Sequence, residues 1–284
     1  MRQLRNCTSA ELYTGTSKCQ VNFENVKGAI LVPPGTKLPA ELTAEKLEEL
    51  VHAELSARVY GVKDFVEYAK NGGEVQTSAQ GYGPEEITGV SARKDTFTMK
   101  RFDPELDATF TALGNKAWDV YFFDDDNMLY GMNDGTDQLA GYPMSNVYTD
   151  STPFNTSSAK AALSITFSHE NAKRAKTQFD YRRLDFNPQK CVLGLSPVIM
   201  QKTTDGGSAY KIYERIGGYD VTGIYGPLIA SAGAAVLNGA TTAATYNETA
   251  DTITIATTGS AEVSLKSPKV LFQNDIKGII QVKA

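Results

Sequence analysis

Histidine is almost absent from this sequence: His52 and His169 are the only two in 284 residues. Cysteine is nearly as scarce, with Cys7, Cys19 and Cys191, and no two of them stand in C-x-x-C spacing. These absences remove the usual ligands of a zinc site. His169-Glu170 opens like the H-E-x-x-H motif of metalloproteases, but Lys173 stands where the second histidine is required. Three cysteines at these spacings read as free, buried thiols in a reducing compartment, with a Cys7–Cys19 bridge as the weaker alternative. A cysteine nucleophile would need partners that only the fold can bring near. His52 follows Val51 on a helix and is expected at a helix face or interface, not as a base, because a base needs a partner in reach.

Long apolar runs are also lacking. No stretch reaches the ~20 residues that cross a bilayer. The longest candidate, 227–237, is short and contains Ser231 and Gly233. Arg2 and Arg5 open the chain, but no apolar segment of signal-peptide length follows. Synthesis in a cytoplasm without a secretion address is the expectation. Excess positive charge is missing as well: 28 Lys and Arg face 33 Asp and Glu. The net charge of -5 argues against a protein built mainly to grip nucleic acid. Phosphate-cradling loops are missing too. Gly81-Tyr82-Gly83 lacks the third glycine of a dinucleotide loop, and no Gly-Lys-Ser/Thr occurs. No catalytic set, cofactor or metal is expected, and the chain is read as not an enzyme.

What the sequence does hold favours strands. Tyr (14), Phe (12) and Thr are plentiful, and Trp118 is the single tryptophan. Val26 to Val32 is mostly apolar and stops at Pro33-Pro34-Gly35, a breaker signal. Residues 43–59 read as the one clear amphipathic helix. Thr43 is its N-cap, and Leu47, Leu50, Val51 and Leu55 form one stripe. A short second helix is expected over 64–70, ending at Asn71-Gly72-Gly73. From residue 74 the period changes. Residues 75–79 and 87–90 flank a Gly81-Tyr82-Gly83-Pro84 turn, and 96–102 alternates as a strand with one buried face. Residues 104–113 suggest a short helix. Residues 118–123 form an aromatic strand, and Met128-Leu129-Tyr130 return as its hairpin partner.

Residues 133–157 are rich in Gly, Ser, Thr, Asn and Pro and read as a long loop, of the kind that reaches a neighbour in an assembling protein. Strands are expected at 163–167 and 177–186. After Pro188 the composition shifts to Val, Ile, Thr, Gly and Ala. Short strands are expected at 192–200, 210–213, 252–256, 262–265, 269–272 and 276–282. The fold class that follows is mainly β (α+β): a β-sandwich or barrel core with one amphipathic helix over 1–190, then a small immunoglobulin-like β-sandwich over 191–284.

Two charge clusters remain. Asp124-Asp125-Asp126-Asn127 fails as an EF-hand, because Met128 and Leu129 occupy the fifth and sixth positions. With Asp134 and Asp137 nearby, a looser cation site is one reading. A solvated hairpin turn is another, and a band of negative charge in a ring is a third. Lys173-Arg174, Lys176 and Arg182-Arg183, interleaved with Phe179 and Tyr181, form the main basic concentration. Such residues contact nucleic acid, line a strand's solvent face, or pair with acidic residues on a neighbouring subunit.

The order of these segments resembles virion structural proteins of tailed bacteriophages, including crAss-like phages of gut bacteria. The resemblance rests on Pro33-Pro34-Gly35-Thr36, the helix, and the run from Gly81 to Gly89 (GYGPEEITG). It continues through the strand at 96–102 and the hairpin from Asp119 to Gly131 (DVYFFDDDNMLYG). The β-rich core, single helix, long loop and trailing sandwich are similar to a tail-tube subunit with an immunoglobulin-like appendage. The resemblance implies a homo-oligomeric ring or tube of the tail or neck, built by sheets joining edge to edge. It also implies other phage structural proteins as partners, passage of DNA along an acidic wall to which Asp124, Asp125 and Asp126 would contribute, no membrane, and location in the virion. A capsid auxiliary or decoration protein uses the same ingredients. A carboxylate-dependent hydrolase would need two carboxylates roughly 5–10 Å apart in a cleft.

Overall fold

In a computed structural model, the described residues are 8–9, 19–20, 24–79, 81–158, 160–204, 207–257 and 262–283. Cys7 and the suggested Cys7–Cys19 bridge lie outside them. The short strands Thr8–Ser9 and Cys19–Gln20 pair antiparallel. The chain divides into two compact units: 1–47 with 59–192, and 48–58 with 193–284. Among the described residues no helix is long and apolar enough to cross a membrane.

The first unit is built on a branched, ten-stranded antiparallel sheet. Its strands are β1 (Val26–Val32), β2 (Tyr60–Lys63), β3 (Phe65–Gly72) and β6 (Arg93–Met99), then β7 (Trp118–Asp124), β8 (Met128–Asn133), β9 (Tyr142–Thr152), β10 (Ala162–His169) and β11 (Phe179–Arg183), with the short strand Leu139–Ala140 at one end. Two more strands, β4 (Val75–Ser78) and β5 (Glu86–Val90), form a separate ladder. Mainly β is thus the fold class, with a sandwich-like core and no barrel closure. Strand β7 is the hub, pairing with β1 along its length, with β9 at its start and with β8 at its end. It is buried on both faces, which is why Val120-Tyr121-Phe122-Phe123 reads as an unbroken apolar run.

Phe65, Phe97, Phe122 and Phe167 form the centre of the core, with ring centroids 4.7 Å apart for Phe65–Phe97 and 5.2 Å for Phe122–Phe167. Such ring pairs add ~0.5–1.5 kcal/mol each beyond the area they bury. The Pro33-Pro34-Gly35 turn is tied to β7 by Gly35 N–H donating to Asp119 Oδ2 at 2.7 Å. Tyr121 OH accepts from Leu38 N–H and donates to the Leu139 carbonyl.

Three expectations before residue 160 need correction. The helix α1 is Ala44–Val51, not 43–59. Its end is set at His52, whose N–H is shared between the Glu48 and Glu49 carbonyls. Leu55, expected on the buried stripe, is 71% exposed. Where a helix is expected over 64–70, Phe65–Gly72 forms strand β3, held by its ladder with β6 and with a bulge between Phe65 and Glu67. The stretch 133–157 is mostly strand. Tyr142–Thr152 lies inside the sheet between β7 and β10, with Tyr142, Met144 and Val147 buried. Its outward face is polar, and a bulge between Met144 and Asn146 breaks the alternation that marks a strand. Removing 133–157 would therefore take out a paired strand, not a dispensable loop.

The helices α2 (Pro104–Leu113) and α3 (Ala172–Thr177) also belong to the first unit. Asp103 caps α2, its carboxylate accepting from the N–H groups of Glu105 and Leu106.

The second unit has one five-stranded mixed sheet, β12 (Ser196–Lys202), β13 (Ala209–Glu214), β14 (Ala240–Asn247), β15 (Thr252–Thr257) and β16 (Ile279–Gln281), in the order β14-β15-β13-β12-β16. The β12–β16 pair is parallel. Helix α4 (Thr222–Ala232) packs on β14, β15 and β13, in the place where an immunoglobulin-like sandwich has its second sheet. Residues 269–272, expected as a strand, lie in helix α5 (Pro268–Phe272), where Pro268 presets the first turn.

Candidate assembly site

Residues 65–99 form one long hairpin in two sections. The proximal section pairs β3 with β6, from Phe65↔Met99 to Gly72↔Arg93. The distal section pairs β4 with β5, from Val75↔Val90 to Ser78↔Glu86. The joint is Gly72-Gly73, with φ of 72° and 73°, facing Ser91-Ala92. Gly73 N–H donates to the Ala92 carbonyl, and Ser91 N–H to that of Glu74. A Cβ on Gly72 would overlap the Ala92 oxygen, so glycine is required here by both space and φ.

The distal section is almost wholly exposed on both faces. Ile87 is 74% exposed, Val75 48%, and Tyr82 at the tip fully. Strand β3 is the end strand on the sheet's main path and is also open to solvent, with Val66 59% exposed. The arm is therefore an extended ribbon carrying apolar side chains outward.

Its root is held by a buried polar cluster. The Asp95 carboxylate on β6 accepts from His169 Nε2 of β10 at 2.6 Å and from Tyr68 OH of β3 at 2.9 Å. The Arg93 guanidinium grips both its oxygens, Nε to Oδ1 at 3.1 Å and Nη2 to Oδ2 at 2.9 Å. Burial alone would push Asp95 up, but the His169 hydrogen bond and the Arg93 charge outweigh it and hold the carboxyl below the usual range. Thr96 with Thr166 and Thr98 with Ser164 continue the cross-strand bonding. No motif in the sequence marks Tyr68, Arg93 and Asp95 as a set. The aromatic and β-branched residues Phe65, Val66 and Tyr68 are the available signal for the strand.

The other candidates fall elsewhere. His169 is the His of this cluster, whereas Glu170 is exposed and its N–H donates to the Pro143 carbonyl. His52 lies in the second unit, stacked on Phe272 with centroids 4.7 Å apart. Its Nδ1 donates to the Glu48 carbonyl and its Nε2 accepts from Gly278 N–H at 2.9 Å. Cys191 is buried, and its Sγ donates to the Asn187 carbonyl at 3.7 Å.

The acidic run is a turn. Asp124 is buried, and its Oδ1 accepts from the N–H groups of Asp126 and Met128, both at 2.9 Å, while Tyr130 OH donates to Oδ2. Asn127 sits at φ 62°, as hairpin geometry requires. Asp125 pairs with Lys27 and Asp126 with Arg183. Asp134 pairs with Lys37, and that bond together with Thr136 holds its carboxyl low. Asp137 offers its carbonyl to Arg182. Among the described residues no three His, Cys, Asp or Glu side chains converge as a metal set.

The basic concentration splits. Arg182 is bound to the Ala40 and Asp137 carbonyls and Arg183 to Asp126, so both act within the fold. Lys173, Arg174 and Lys176 on α3 are exposed, and among the described residues none of them forms an ion pair. Phe179 beside them is 47% exposed, with Tyr130 and Tyr181 as ring neighbours. Compared with family models, with curated proteins and with solved structures, the chain matches none.

Proposed function

We propose that this chain is a non-enzymatic structural subunit of a tailed-phage virion that assembles with copies of itself into a ring or tube of the tail or neck. The observation that carries this reading is the distal hairpin of the arm, exposed on both faces and bearing Val75, Tyr82 and Ile87. A two-stranded ribbon without a packed face is only marginally stable in water, and gains stability when a partner supplies that face. The open end strand β3 adds a second surface of the kind that pairs between subunits. The virion setting rests on the order of sequence segments described above. In this reading Asp124, Asp125 and Asp126 do not form the acidic wall of a DNA channel, since each is already engaged within its own chain.

The test is the mass and shape of the purified protein, by light scattering with negative-stain microscopy. Rings, tubes or a defined multimer are expected. Replacing 74–90 by a two-glycine turn is expected to give a protomer with an unchanged circular dichroism spectrum. A wild-type protein that stays monomeric at all concentrations overturns the reading.

A second reading, a capsid decoration protein, is favoured by α4. That helix carries no charged residue and leaves Ile224 and Leu228, one turn apart, exposed to solvent. Such a protein would stay monomeric until capsids are added.

A further inference from the structure

Resting on that assembly reading, we infer that the distal hairpin of one copy docks on the helix Ala172–Thr177 and the adjoining Phe179 of a second copy. The two surfaces are complementary in charge. Segment 74–90 carries Glu74, Glu85 and Glu86 and neither lysine nor arginine. Segment 171–179 carries Lys173, Arg174 and Lys176 and neither aspartate nor glutamate. Both surfaces are open. The three cations are exposed, as are Glu74, Glu85 and Glu86. Among the described residues none of the six forms an ion pair, and Arg174 donates instead to the neutral amide of Gln178.

The match extends to apolar groups. Phe179 stacks on Tyr130 with centroids 6.1 Å apart and neighbours Tyr181 at 6.0 Å, which makes an aromatic ledge beside the basic helix. The arm brings Ile87 and Tyr82 next to its glutamates. Apolar contact at the centre with charge pairing at the rim is the usual anatomy of a specific interface.

Within one chain β5 already runs near α3. Among the described residues that neighbourhood makes no ion pair between these glutamates and lysines, and it leaves Ile87 and Tyr82 exposed. A second copy supplies what the first does not. Because arm and ledge are different patches of the same chain, the contact is head-to-tail, and repetition of it closes a ring or propagates a helix.

The test is sedimentation of two charge-reversed proteins, Lys173→Glu/Lys176→Glu and Glu85→Lys/Glu86→Lys, alone and with all four changes in one chain. Each pair of changes alone is expected to reduce the multimer to protomer, the fourfold variant to restore it, and salt near about 0.5 M to weaken the wild-type multimer. A wild-type multimer that persists in both charge-reversed proteins overturns this inference and leaves the assembly reading standing. A monomeric wild type overturns both. Should a reversed protein misfold, a mixture of Glu86→Cys and Lys173→Cys chains provides a second measurement. Oxidation is expected to give disulfide-linked dimers beyond the wild-type background, and their absence overturns the docking.

Discussion

His169 and Asp95 meet at 2.6 Å, imidazole nitrogen to carboxylate oxygen, with both side chains almost wholly out of solvent. They join β10 to β6 where the arm leaves the sheet, and Arg93 and Tyr68 close the same carboxylate from the other side. Replacing Asp95 by Ala leaves a buried imidazole and a half-buried guanidinium without their anion. Breaking a buried pair in this way costs about 3–5 kcal/mol. The urea midpoint of Asp95→Ala is expected to fall accordingly, and an unchanged midpoint would remove the cluster from any structural role.

The same carboxylate sets a pH dependence. Its folded pKa is lowered, so its contribution to stability is full above the ordinary carboxylate range and is lost as pH falls through the lower folded value. Between about pH 5 and pH 3 the wild type is expected to lose stability more steeply than Asp95→Asn. Parallel curves of urea midpoint against pH would contradict this.

His52 gives the opposite group and a different window. Burial, outweighing the nearby Glu48, lowers its pKa. The neutral ring is the form that accepts from Gly278 N–H. Its contribution is therefore complete above about pH 6.5 and is lost as pH falls below it. His52→Phe keeps the stacking on Phe272 but not the acceptor. Its stability is expected to be lower at pH 8 and flatter than the wild type between pH 7 and pH 5, as read by thermal melting.

Gly72 tests the joint of the arm. Valine there meets the Ala92 carbonyl and must hold φ 72°. A strained backbone of this kind costs on the order of 1–3 kcal/mol. Gly72→Val is expected to speed proteolysis within 73–92 and to abolish assembly while the sheet stays folded. Wild-type protease resistance would show that the joint tolerates a side chain.

The acidic turn gives a prediction about ions. Asp124 accepts three hydrogen bonds from its own hairpin, and hydrogen bonds to a charged group contribute about 1.5–3 kcal/mol each. Asp124→Ala is expected to lower the melting temperature by several degrees, and added calcium to leave the wild-type melting temperature where it is. A calcium-dependent rise would restore the cation reading.

Much of the fold is legible in the residues. The hub strand and its hairpin partner follow from apolar runs and turn residues, and the short helix expected over 104–113 is present. The errors share a cause, which is tertiary contact overriding local signals. Helix α4 contains Gly223, Gly226 and Pro227, poor helix residues by propensity. Packing compensates: Gly226 lets the Tyr246 ring approach so closely that a Cβ would sit 2.7 Å from it, and Ile229 is fully buried. Strand β9 hid behind its polar outward face. The distal part of the arm is legible as two short strands around a Gly-Tyr-Gly-Pro turn, but its full length is not, because 64–70 followed by Asn71-Gly72-Gly73 reads as a helix with its stop signal. Exposure on both faces, the property that singles the arm out, has no signature in a run such as Val75-Gln76-Thr77-Ser78.

The continuity of the arm with the sheet has a mechanical consequence. Strand β6 lies between β3 and β10, and its ladders to both run along the arm's own axis. A pull on the tip along that axis loads those hydrogen bonds together, as shear, instead of peeling them one at a time. The joint glycines Gly72 and Gly73, where one ladder gives way to the other, would yield first under a transverse load. A chain built this way is stiff in tension and compliant in bending, a combination that would serve the proposed assembly, in which the arm holds a second copy.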